Sequence, residues 1–360
     1  MDISKIDRNF STASATERDT VFYSAKEAPF AVFGFCDSLC GGDFIRMPDS
    51  VAQTVSAGVA ALSRNTAGGR LRFSTDSARI TIRCRLSAIA KMSHMPLISS
   101  AGFDLSLDNP QDGSSRFCGA FKPPMDMTDG FDATVSLNSR ILRSFTLNFP
   151  SYSNVDRLEI GLESNANLTA GQPYLPILPI VYYGSSITQG ACASRPGNAY
   201  PNIICRKNRI DFLNFGFSGS AKGEEAMARH LASLKMSVFV SDYDHNASPE
   251  KLDATHARLY HIIREAHPDI PYVIVTMPDF YKQSYEINQL RRDICYRTYI
   301  DALHAGDQNI SFIDGGSLFG GQDEDACTVD MTHPNDYGML LMANRIGAEL
   351  NRIRDKQILC

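Results

Sequence analysis

Tryptophan is absent from this chain of 360 residues, and several features that would define a class of protein are absent as well. No window approaches the roughly 18 consecutive apolar residues of a membrane-spanning helix. The N-terminus lacks the basic segment followed by an apolar segment that marks a secretory signal. We therefore expect a cytoplasmic protein that does not bind membranes.

Long runs of basic residues are also missing, and the pair Arg291-Arg292 stands alone. The formal net charge is -5 at pH 7, whereas a surface that binds nucleic acid usually carries a stripe of Lys and Arg. We therefore expect no nucleic-acid partner.

The chain has nine cysteines but no Cys-x-x-Cys pair. Cys36 and Cys40 are four residues apart, without a second pair or a nearby His to complete a metal site. Free thiols in a reducing cytosol are the simplest interpretation, and no metal ion is expected.

The first half of the chain is rich in short β-type runs. Between residues 68 and 162 these runs alternate with turn sequences such as Gly-Gly, Asn-Pro and Asp-Gly. The pattern predicts an antiparallel β-sandwich, with a short helix between residues 51 and 62. The clearest strands are residues 71–74, 80–84, 103–107 and 145–149.

From about residue 178 the pattern changes to strands that alternate with helices. The clearest helix runs from Pro249 to Ala266, with Ser248 as its cap. Such alternation predicts a parallel sheet with helices on both faces, whose ligands bind at the carboxyl ends of the strands. We place the boundary in the segment 164–179, which predicts domains of residues 1–175 and 176–360. The expected strands are residues 180–183, 212–215, 238–240, 272–275 and 310–313.

The first of these strands leads into residues 184–190, Gly-Ser-Ser-Ile-Thr-Gln-Gly. Glycines around a serine permit a tight turn that presents the hydroxyl of Ser186 at the end of the strand. A serine hydroxyl is a weak nucleophile unless a base lies within hydrogen-bond distance. The alternative interpretation is a polar loop of small residues.

A suitable base stands near the C-terminus, where residues 330–334 read Asp-Met-Thr-His-Pro. His333 could accept the serine proton, and Asp330 could orient the other ring nitrogen. The alternative is a surface loop with a solvated His and an Asp that caps the next helix.

Two further loops follow the second and third strands. Residues 214–220 read Asn-Phe-Gly-Phe-Ser-Gly-Ser, and residues 241–246 read Ser-Asp-Tyr-Asp-His-Asn. A glycine N–H and an asparagine amide are suitable donors for the oxyanion that forms during acyl transfer. Alternatively, the first is a glycine turn and the second an acidic metal site.

Together the four segments resemble the SGNH hydrolase superfamily, also called GDSL esterases, over residues 179 to about 354. The resemblance implies a flavodoxin-like three-layer α/β/α domain with Ser186 as nucleophile, completed by His333 and Asp330 as a catalytic triad. It also implies an oxyanion hole formed by the N–H of Ser186, the N–H of Gly219 and the side chain of Asn246. No metal or organic cofactor is needed for this chemistry.

Two positions depart from the family pattern. Ser185 stands where the name motif has Asp, and His245 stands where many members have Gly. His245 could narrow or polarise the oxyanion side of the pocket. We expect Ser185, His245 and Tyr243 to contact the substrate.

Residues 183–200 resemble a subgroup in which a β-sandwich with a Gly-x-Asp-Leu-Tyr motif precedes the catalytic domain. Here residues 102–106 read Gly-Phe-Asp-Leu-Ser, with Ser106 in place of the Tyr. This resemblance implies a jelly-roll-like sandwich. The sandwich would buttress the catalytic domain or build an interface for a homo-oligomer. Alternatively, His94-Met95 and residues 99–103 would form a wall of the substrate cleft.

The resemblance implies a serine esterase that cleaves short acyl esters, with acetyl esters of carbohydrates as the favoured substrates. Because sugar clefts favour aromatic platforms and Trp is absent, tyrosines and one phenylalanine are expected to take that place. The candidates are Tyr182, Tyr183, Tyr200, Tyr243 and Phe280.

Several other functions remain open from the sequence. The same triad could serve an acyltransferase, or a lipase- or lysophospholipase-like esterase. A non-catalytic carbohydrate-binding protein is a further alternative. A metal-dependent phosphoesterase is another, since carboxylates and imidazoles bind divalent metals; its ligands would be Asp242, Asp244, His245, Asp330 and His333.

Overall fold

The computed structural model describes residues 19–36, 43–278, 284–321 and 323–359. Within these ranges, two antiparallel sheets form from the first half of the chain and one parallel sheet from the second. This arrangement confirms the predicted fold class, an antiparallel sandwich followed by a three-layer α/β/α unit.

The first antiparallel sheet has four strands in the described residues. They are hydrogen-bonded in the order β1 (Thr20–Ser24), β9 (Asn154–Glu163), β4 (Arg79–Ala88) and β7 (Gly130–Ser136). The second sheet runs β10 (Leu168–Ala170), β3 (Arg70–Thr75), β8 (Arg143–Asn148), β5 (Phe103–Asp108) and β6 (Ser115–Phe121), with β2 (Ala31–Phe33) also paired to β3. Three short helices accompany them: α1 (Asp49–Val55), α2 (Ala57–Leu62) and α3 (Leu97–Ser100).

Strand β3 is buried on both faces. Leu71 and Phe73 point into the core between the two sheets, where each buried side chain contributes about 1.5–3 kcal/mol. Because side chains alternate along a strand, Arg70 lies on the other face. Its guanidinium donates to Asp211 Oδ1 at 2.7 Å and to the Phe212 carbonyl at 2.9 Å. The second sheet therefore faces the α/β unit.

The parallel sheet has five strands in the described residues. Their order is β12 (Phe212–Gly216), β11 (Ile180–Gly184), β13 (Val238–Asp242), β14 (Tyr272–Val275) and β15 (Ile310–Ile313). Strand β11 lies between β12 and β13, so the strand order reverses there, and ligands of such sheets bind at this point. The helices are α4 (Ser186–Gln189), α5 (Tyr200–Asn208), α6 (Glu225–Ala232), α7 (Pro249–Ala266), α8 (Tyr285–His304) and α9 (Asp336–Leu359).

Helices cover both faces of this sheet. Val181 and Tyr183 of β11 pack into one apolar core, and Ile180 and Tyr182 pack into another. Helix α7 has the predicted bounds, and Ser248 Oγ caps it by accepting the N–H of Lys251 at 3.3 Å.

A buried arginine joins the N-terminal segment to the carboxyl end of β12. The Arg46 guanidinium donates to the carbonyls of Asn214 at 2.9 Å and Gly216 at 2.7 Å. Burial lowers the pKa of Arg46 to about 9, which still leaves it charged at neutral pH. The end of β12 is therefore held in place from outside the α/β unit.

The Gly-x-Asp motif makes a second connection. Asp104 is fully buried, and its carboxylate accepts the backbone N–H of Gly197 at 2.5 Å and the amide of Asn148 at 2.9 Å. Burial raises the pKa of Asp104, although Arg195 and these hydrogen bonds favour its charged form. A Cβ on Gly102 would lie 2.6 Å from the Ile98 carbonyl oxygen. Gly102 of the motif thus permits a close turn, and Asp104 contacts the loop that follows α4.

The prediction that all cysteines are free thiols is wrong at Cys36, which takes part in a disulfide. The other described cysteines are free thiols. Since disulfides persist in oxidising compartments, the cysteine argument for a cytosolic location loses its support. No described helix is long and apolar enough to span a bilayer.

Candidate active site

Ser186 is the first residue of helix α4, directly beyond the carboxyl end of β11. A Cβ on Gly184 would lie 2.0 Å from Thr188 Oγ1, so this turn requires glycine. Ser185 Oγ accepts the N–H of Ile187 at 3.1 Å and caps the helix. The turn therefore holds Ser186 at the point where the strand order reverses.

Three predicted residues meet here. Ser186 Oγ lies 3.0 Å from His333 Nε2, and His333 Nδ1 lies 2.8 Å from Asp330 Oδ2. In a neutral ring with its proton on Nδ1, Asp330 accepts that proton's hydrogen bond and Nε2 is free to accept one from Ser186. This is the arrangement that a Ser-His-Asp triad requires.

The loop that carries the histidine is shaped by its own acid. Asp330 Oδ1 accepts the backbone N–H of His333 at 2.8 Å and of Thr332 at 3.2 Å, and Met331 has a left-handed φ of 64°. The next helix is tied to the loop after α4, because Asp336 accepts the backbone N–H of Ser194 at 2.7 Å. The positions of the serine and histidine loops are therefore coupled.

The contacts between Asp330 and His333 favour the ionised form of Asp330. Partial burial of Asp330 opposes its charge, but hydrogen bonds from the backbone and ring of His333 outweigh it and lower the pKa of Asp330. Cys192 lies nearby, and burial, together with the charge of Asp330, raises the pKa of its thiol to about 12. Because thiolates are the reactive form, Cys192 is not a competing nucleophile at neutral pH.

The two loops predicted to hold the oxyanion are bonded to each other and to the serine loop. Phe217 N–H donates to the Gly184 carbonyl at 2.9 Å, and the Asn246 amide donates to the Phe217 carbonyl at 3.0 Å. Gly219 adopts a left-handed φ of 64°, and a Cβ added there would meet no atom within 4 Å. This geometry leaves room for a ligand beside Gly219.

Gln189, the last residue of α4, connects the oxyanion loop with the sandwich. Its side-chain oxygen Oε1 accepts the backbone N–H of Ser218 at 2.9 Å. Its amide donates to Asn65 Oδ1 and to the Ser151 carbonyl, each at 3.1 Å. Tyr152, the next residue of the sandwich, has its hydroxyl 3.4 Å from the Ser186 carbonyl. The sandwich thus reaches the residues around the nucleophile.

Two groups of side chains among the described residues could hold a metal ion. Donor atoms of Asp242, Asp244 and His245 lie within 4.8 Å of one another. Asp242 is fully buried, which raises the pKa of its carboxyl to about 7, and its Oδ1 has no hydrogen-bond partner. The second group is His94, Cys192 and His333. The five ligands expected for a phosphoesterase therefore do not form one cluster, since Asp330 and His333 lie beside Ser186.

Of the expected substrate contacts, Ser185 and Tyr243 are buried and offer no surface to a substrate. The His245 ring lies against Asp244, with Nδ1 3.1 Å from Oδ1, and its side chain is only 7% exposed. The tyrosines proposed as aromatic platforms are buried in the two apolar cores of the α/β unit: Tyr182, Tyr183, Tyr200 and Tyr243. Phe280 lies outside the described residues.

A groove beside His333 contains His94, which the sequence offered as part of a wall of the substrate cleft, and residues such as Tyr337 that the sequence did not single out. Its volume is about 480 Å³, and its lining includes His94, Cys192, Ser194, Asn335 and Tyr337. The ring centroids of His94 and His333 are 5.9 Å apart. His94 belongs to the sandwich, so the sandwich forms one wall of this groove. The sequence had offered His94 as an alternative wall of the cleft, whereas it gave no signal for Tyr337.

The fold is that of the SGNH superfamily, an α/β unit preceded by an antiparallel sandwich. Two family models match the chain: GDSL-like Lipase/Acylhydrolase over residues 178–351, and the GxDLY N-terminus of Esterase_SGNH_hydro-type over residues 20–168. Residues 178–351 therefore form a domain of the GDSL-like lipase/acylhydrolase family, and residues 20–168 form a GxDLY-type N-terminal domain. No curated protein matches the sequence.

Solved structures with similar folds include a GDSL-like lipase from Bacteroides ovatus. It is 27% identical, with a TM-score of 0.84 over 94% of this chain and 98% of that one. A salicylyl-acyltransferase from a tetracycline biosynthetic pathway is 19% identical, with a TM-score of 0.75 over 93% and 98%. A family two carbohydrate esterase from Clostridium thermocellum, solved with cellohexaose, is 16% identical, with a TM-score of 0.56 over 79% and 92%.

Proposed function

We propose that this protein is a serine esterase that removes short acyl groups, acetyl above all, from carbohydrates. The observation that carries the proposal is the pair of contacts from Ser186 Oγ to His333 Nε2 at 3.0 Å and from His333 Nδ1 to Asp330 Oδ2 at 2.8 Å. Ser186 is the nucleophile, His333 the general base and acid, and Asp330 the group that orients the ring.

In the first half of the reaction Ser186 Oγ attacks the ester carbonyl and its proton passes to His333 Nε2. The oxyanion accepts hydrogen bonds from the N–H groups of Ser186 and Gly219 and from the Asn246 amide. His333 then gives its proton to the departing alcohol as the carbon–oxygen bond breaks. In the second half water attacks the acyl-serine, again through His333, and the acid leaves.

Solvent access favours water as the acyl acceptor. The side chains of His333 and Asp330 are 22% and 38% exposed, and the groove beside them is open. An acyltransferase must keep water from the acyl-enzyme, for which a closed site is expected. The similar fold of a salicylyl-acyltransferase keeps transfer to an alcohol as the second candidate function.

The surroundings of Ser186 favour a short acyl group. Met95, Tyr152, Ala191 and Cys192 form a compact buried apolar cluster next to the nucleophile. Such a cluster suits a methyl group, whereas a long acyl chain needs a continuous apolar channel.

The groove favours a carbohydrate as the alcohol. Ser194 and Asn335 bring polar side chains to the groove, where they also bond Asp336 and the Ala326 carbonyl. Tyr337 is 42% exposed. Tyr337 and His94 therefore supply the flat surfaces on which a sugar ring can stack. The sequence had assigned this role to tyrosines that are buried. The family two carbohydrate esterase solved with cellohexaose shares this fold and is consistent with this choice.

The test is an assay of the purified protein with 4-nitrophenyl acetate, butyrate and octanoate, and with acetylated xylo- and manno-oligosaccharides. Acetate release is expected to exceed octanoate release. Ser186→Ala should lower kcat by at least about 10⁴-fold, because the nucleophile is lost, while circular dichroism remains unchanged. Ser233→Ala, on the surface at the end of α6, is the matched control and should retain full activity.

Activity that survives in Ser186→Ala would contradict the assignment of the nucleophile. Transfer of acetate to added alcohols in preference to water would favour the acyltransferase. Preference for octanoate over acetate would contradict the short acyl group.

A further inference from the structure

Three donor atoms from separate parts of the chain meet at the mouth of the candidate active site. His94 comes from a loop of the sandwich, Cys192 follows helix α4, and His333 lies in the loop before α9. One donor atom from each lies within 4.8 Å of the other two. Two imidazole nitrogens and a thiol sulfur are ligands that zinc prefers.

The spacing is close to that of a zinc site. Zinc binds nitrogen at about 2.1 Å and sulfur at about 2.3 Å in a tetrahedron, which places neighbouring donor atoms about 3.3–3.6 Å apart. Since the donors lie within 4.8 Å of one another, they need to approach by about 1.5 Å at most. The side chain of His94 is exposed and can rotate to make this approach.

The nitrogen of His333 that would bind the ion is defined by its neighbours. Nδ1 lies 2.8 Å from Asp330 Oδ2, so in the neutral ring that nitrogen holds the proton and Nε2 holds the lone pair. A carboxylate that accepts from the distal nitrogen also orients a metal-bound histidine and raises its basicity. Asp330 is thus placed to orient His333 both when its Nε2 accepts from Ser186 and when its Nε2 binds zinc.

We propose that His94, Cys192 and His333 bind a zinc ion reversibly, and that the bound ion inhibits the enzyme. The Nε2 lone pair can accept the proton of Ser186 or bind zinc, but it cannot do both. The thiol of Cys192 loses its proton to solvent as the zinc–sulfur bond forms. The three protein ligands leave a fourth position for water. Zinc binding does not depend on the proposed function, whereas inhibition rests on it, so the two are measured separately.

Binding is measured on the full chain by titration with ZnCl₂ in a calorimeter and with CoCl₂ in a spectrophotometer. Cobalt bound by a thiolate gives an intense near-ultraviolet charge-transfer band. We expect this band in the wild-type protein, and a dissociation constant for zinc that rises at least about tenfold in both His94→Ala and Cys192→Ser. Ser186→Ala should bind zinc at least as tightly as wild type, since it no longer shares the Nε2 lone pair.

Inhibition is measured with 4-nitrophenyl acetate across a range of ZnCl₂, with MgCl₂ as the control ion. Zinc should inhibit the wild-type protein, and excess chelator should restore the rate. Each variant is compared with its own rate without zinc. The concentration of zinc that halves this rate should rise at least about tenfold in His94→Ala and Cys192→Ser. Cys118→Ser, which removes a free thiol of the sandwich, should respond as wild type does.

Inhibition or binding that persists unchanged in both His94→Ala and Cys192→Ser overturns the proposal. So does a cobalt spectrum without the thiolate band. Zinc binding that is lost in His245→Ala but kept in His94→Ala would place the ion among Asp242, Asp244 and His245, and would also overturn it. If the wild-type protein hydrolyses no ester, the binding data alone decide whether the zinc site exists.

Discussion

Gln189 Oε1 accepts the backbone N–H of Ser218 at 2.9 Å. Helix α4, which begins at Ser186, therefore fixes the position of Ser218, the residue before Gly219. The amide of the Gln189 side chain donates to Asn65 and Ser151 of the sandwich. One buried side chain therefore connects the nucleophile, the oxyanion loop and the N-terminal domain.

Gln189→Leu should lower both stability and turnover. The substitution leaves the Ser218 N–H and two acceptors of the sandwich without partners. Each buried group without a partner lowers the free energy of unfolding by about 1–3 kcal/mol. Urea denaturation should show a loss of about 3 kcal/mol or more in the free energy of unfolding. Gln189→Glu keeps the acceptor for Ser218, so its kcat should exceed that of Gln189→Leu. Equal kcat values for the two variants would count against a positioning role for Gln189.

Asp330→Asn should lower kcat by at least about a hundredfold with little change in KM. The amide can present an N–H to His333 Nδ1, which favours the ring tautomer that cannot accept the serine proton. Steady-state kinetics with 4-nitrophenyl acetate measure this. Asp156→Asn, which removes the same charge from the sandwich, is the control, and an equal effect of both substitutions would argue against the triad.

Asn246→Ala should lower kcat about 10²- to 10³-fold, as expected when one donor to the oxyanion is lost. KM should change little, because the hydrogen bond strengthens only in the transition state. Asn344→Ala, an exposed asparagine of α9, serves as the control. A rise in KM with unchanged kcat would indicate that Asn246 binds the substrate and does not stabilise the oxyanion.

His256 makes the stability of the folded protein depend on pH, independently of catalysis. It is fully buried, and its Nδ1 lies 2.8 Å from Thr298 Oγ1, between α7 and α8. Burial lowers its pKa from 6.5 to about 4. Between these values the unfolded chain binds the proton and the folded chain does not. Stability from this residue is therefore full above pH 6.5 and falls as the pH drops toward 4, by about 3 kcal/mol.

Urea denaturation at pH 7, 6, 5 and 4 measures this effect. In His256→Gln the loss of stability on acidification should be smaller than in the wild-type protein by about that amount. His261→Gln, an exposed histidine of the same helix, should keep the wild-type dependence. Parallel curves for His256→Gln and wild type would refute the role of His256.

Much of the α/β unit could be predicted from local sequence patterns. The five strands begin at the predicted residues, and α7 has its predicted bounds and cap. Hydrophobic period, glycine turns and helix caps act between residues close in the chain, so these features are visible without tertiary structure. Three motifs at strand ends were likewise enough to indicate a shared edge of the sheet.

The sequence could not show which faces of an element are covered. Tyr182, Tyr200 and Tyr243 were expected at the substrate, yet they are core residues, because apolar residues from distant parts of the chain pack around them. The sequence likewise could not show that Cys36 would take part in a disulfide.

The sequence by itself determined the fold class, the positions of the parallel strands along the chain and the residue types at their carboxyl ends, since these depend on short-range geometry. Only the tertiary structure decided that His94 lies 5.9 Å from His333 between ring centroids, and that Asp104 holds the loop at Gly197. Such contacts join residues far apart in the chain, and they form because burial of the apolar faces of two domains brings their polar loops together.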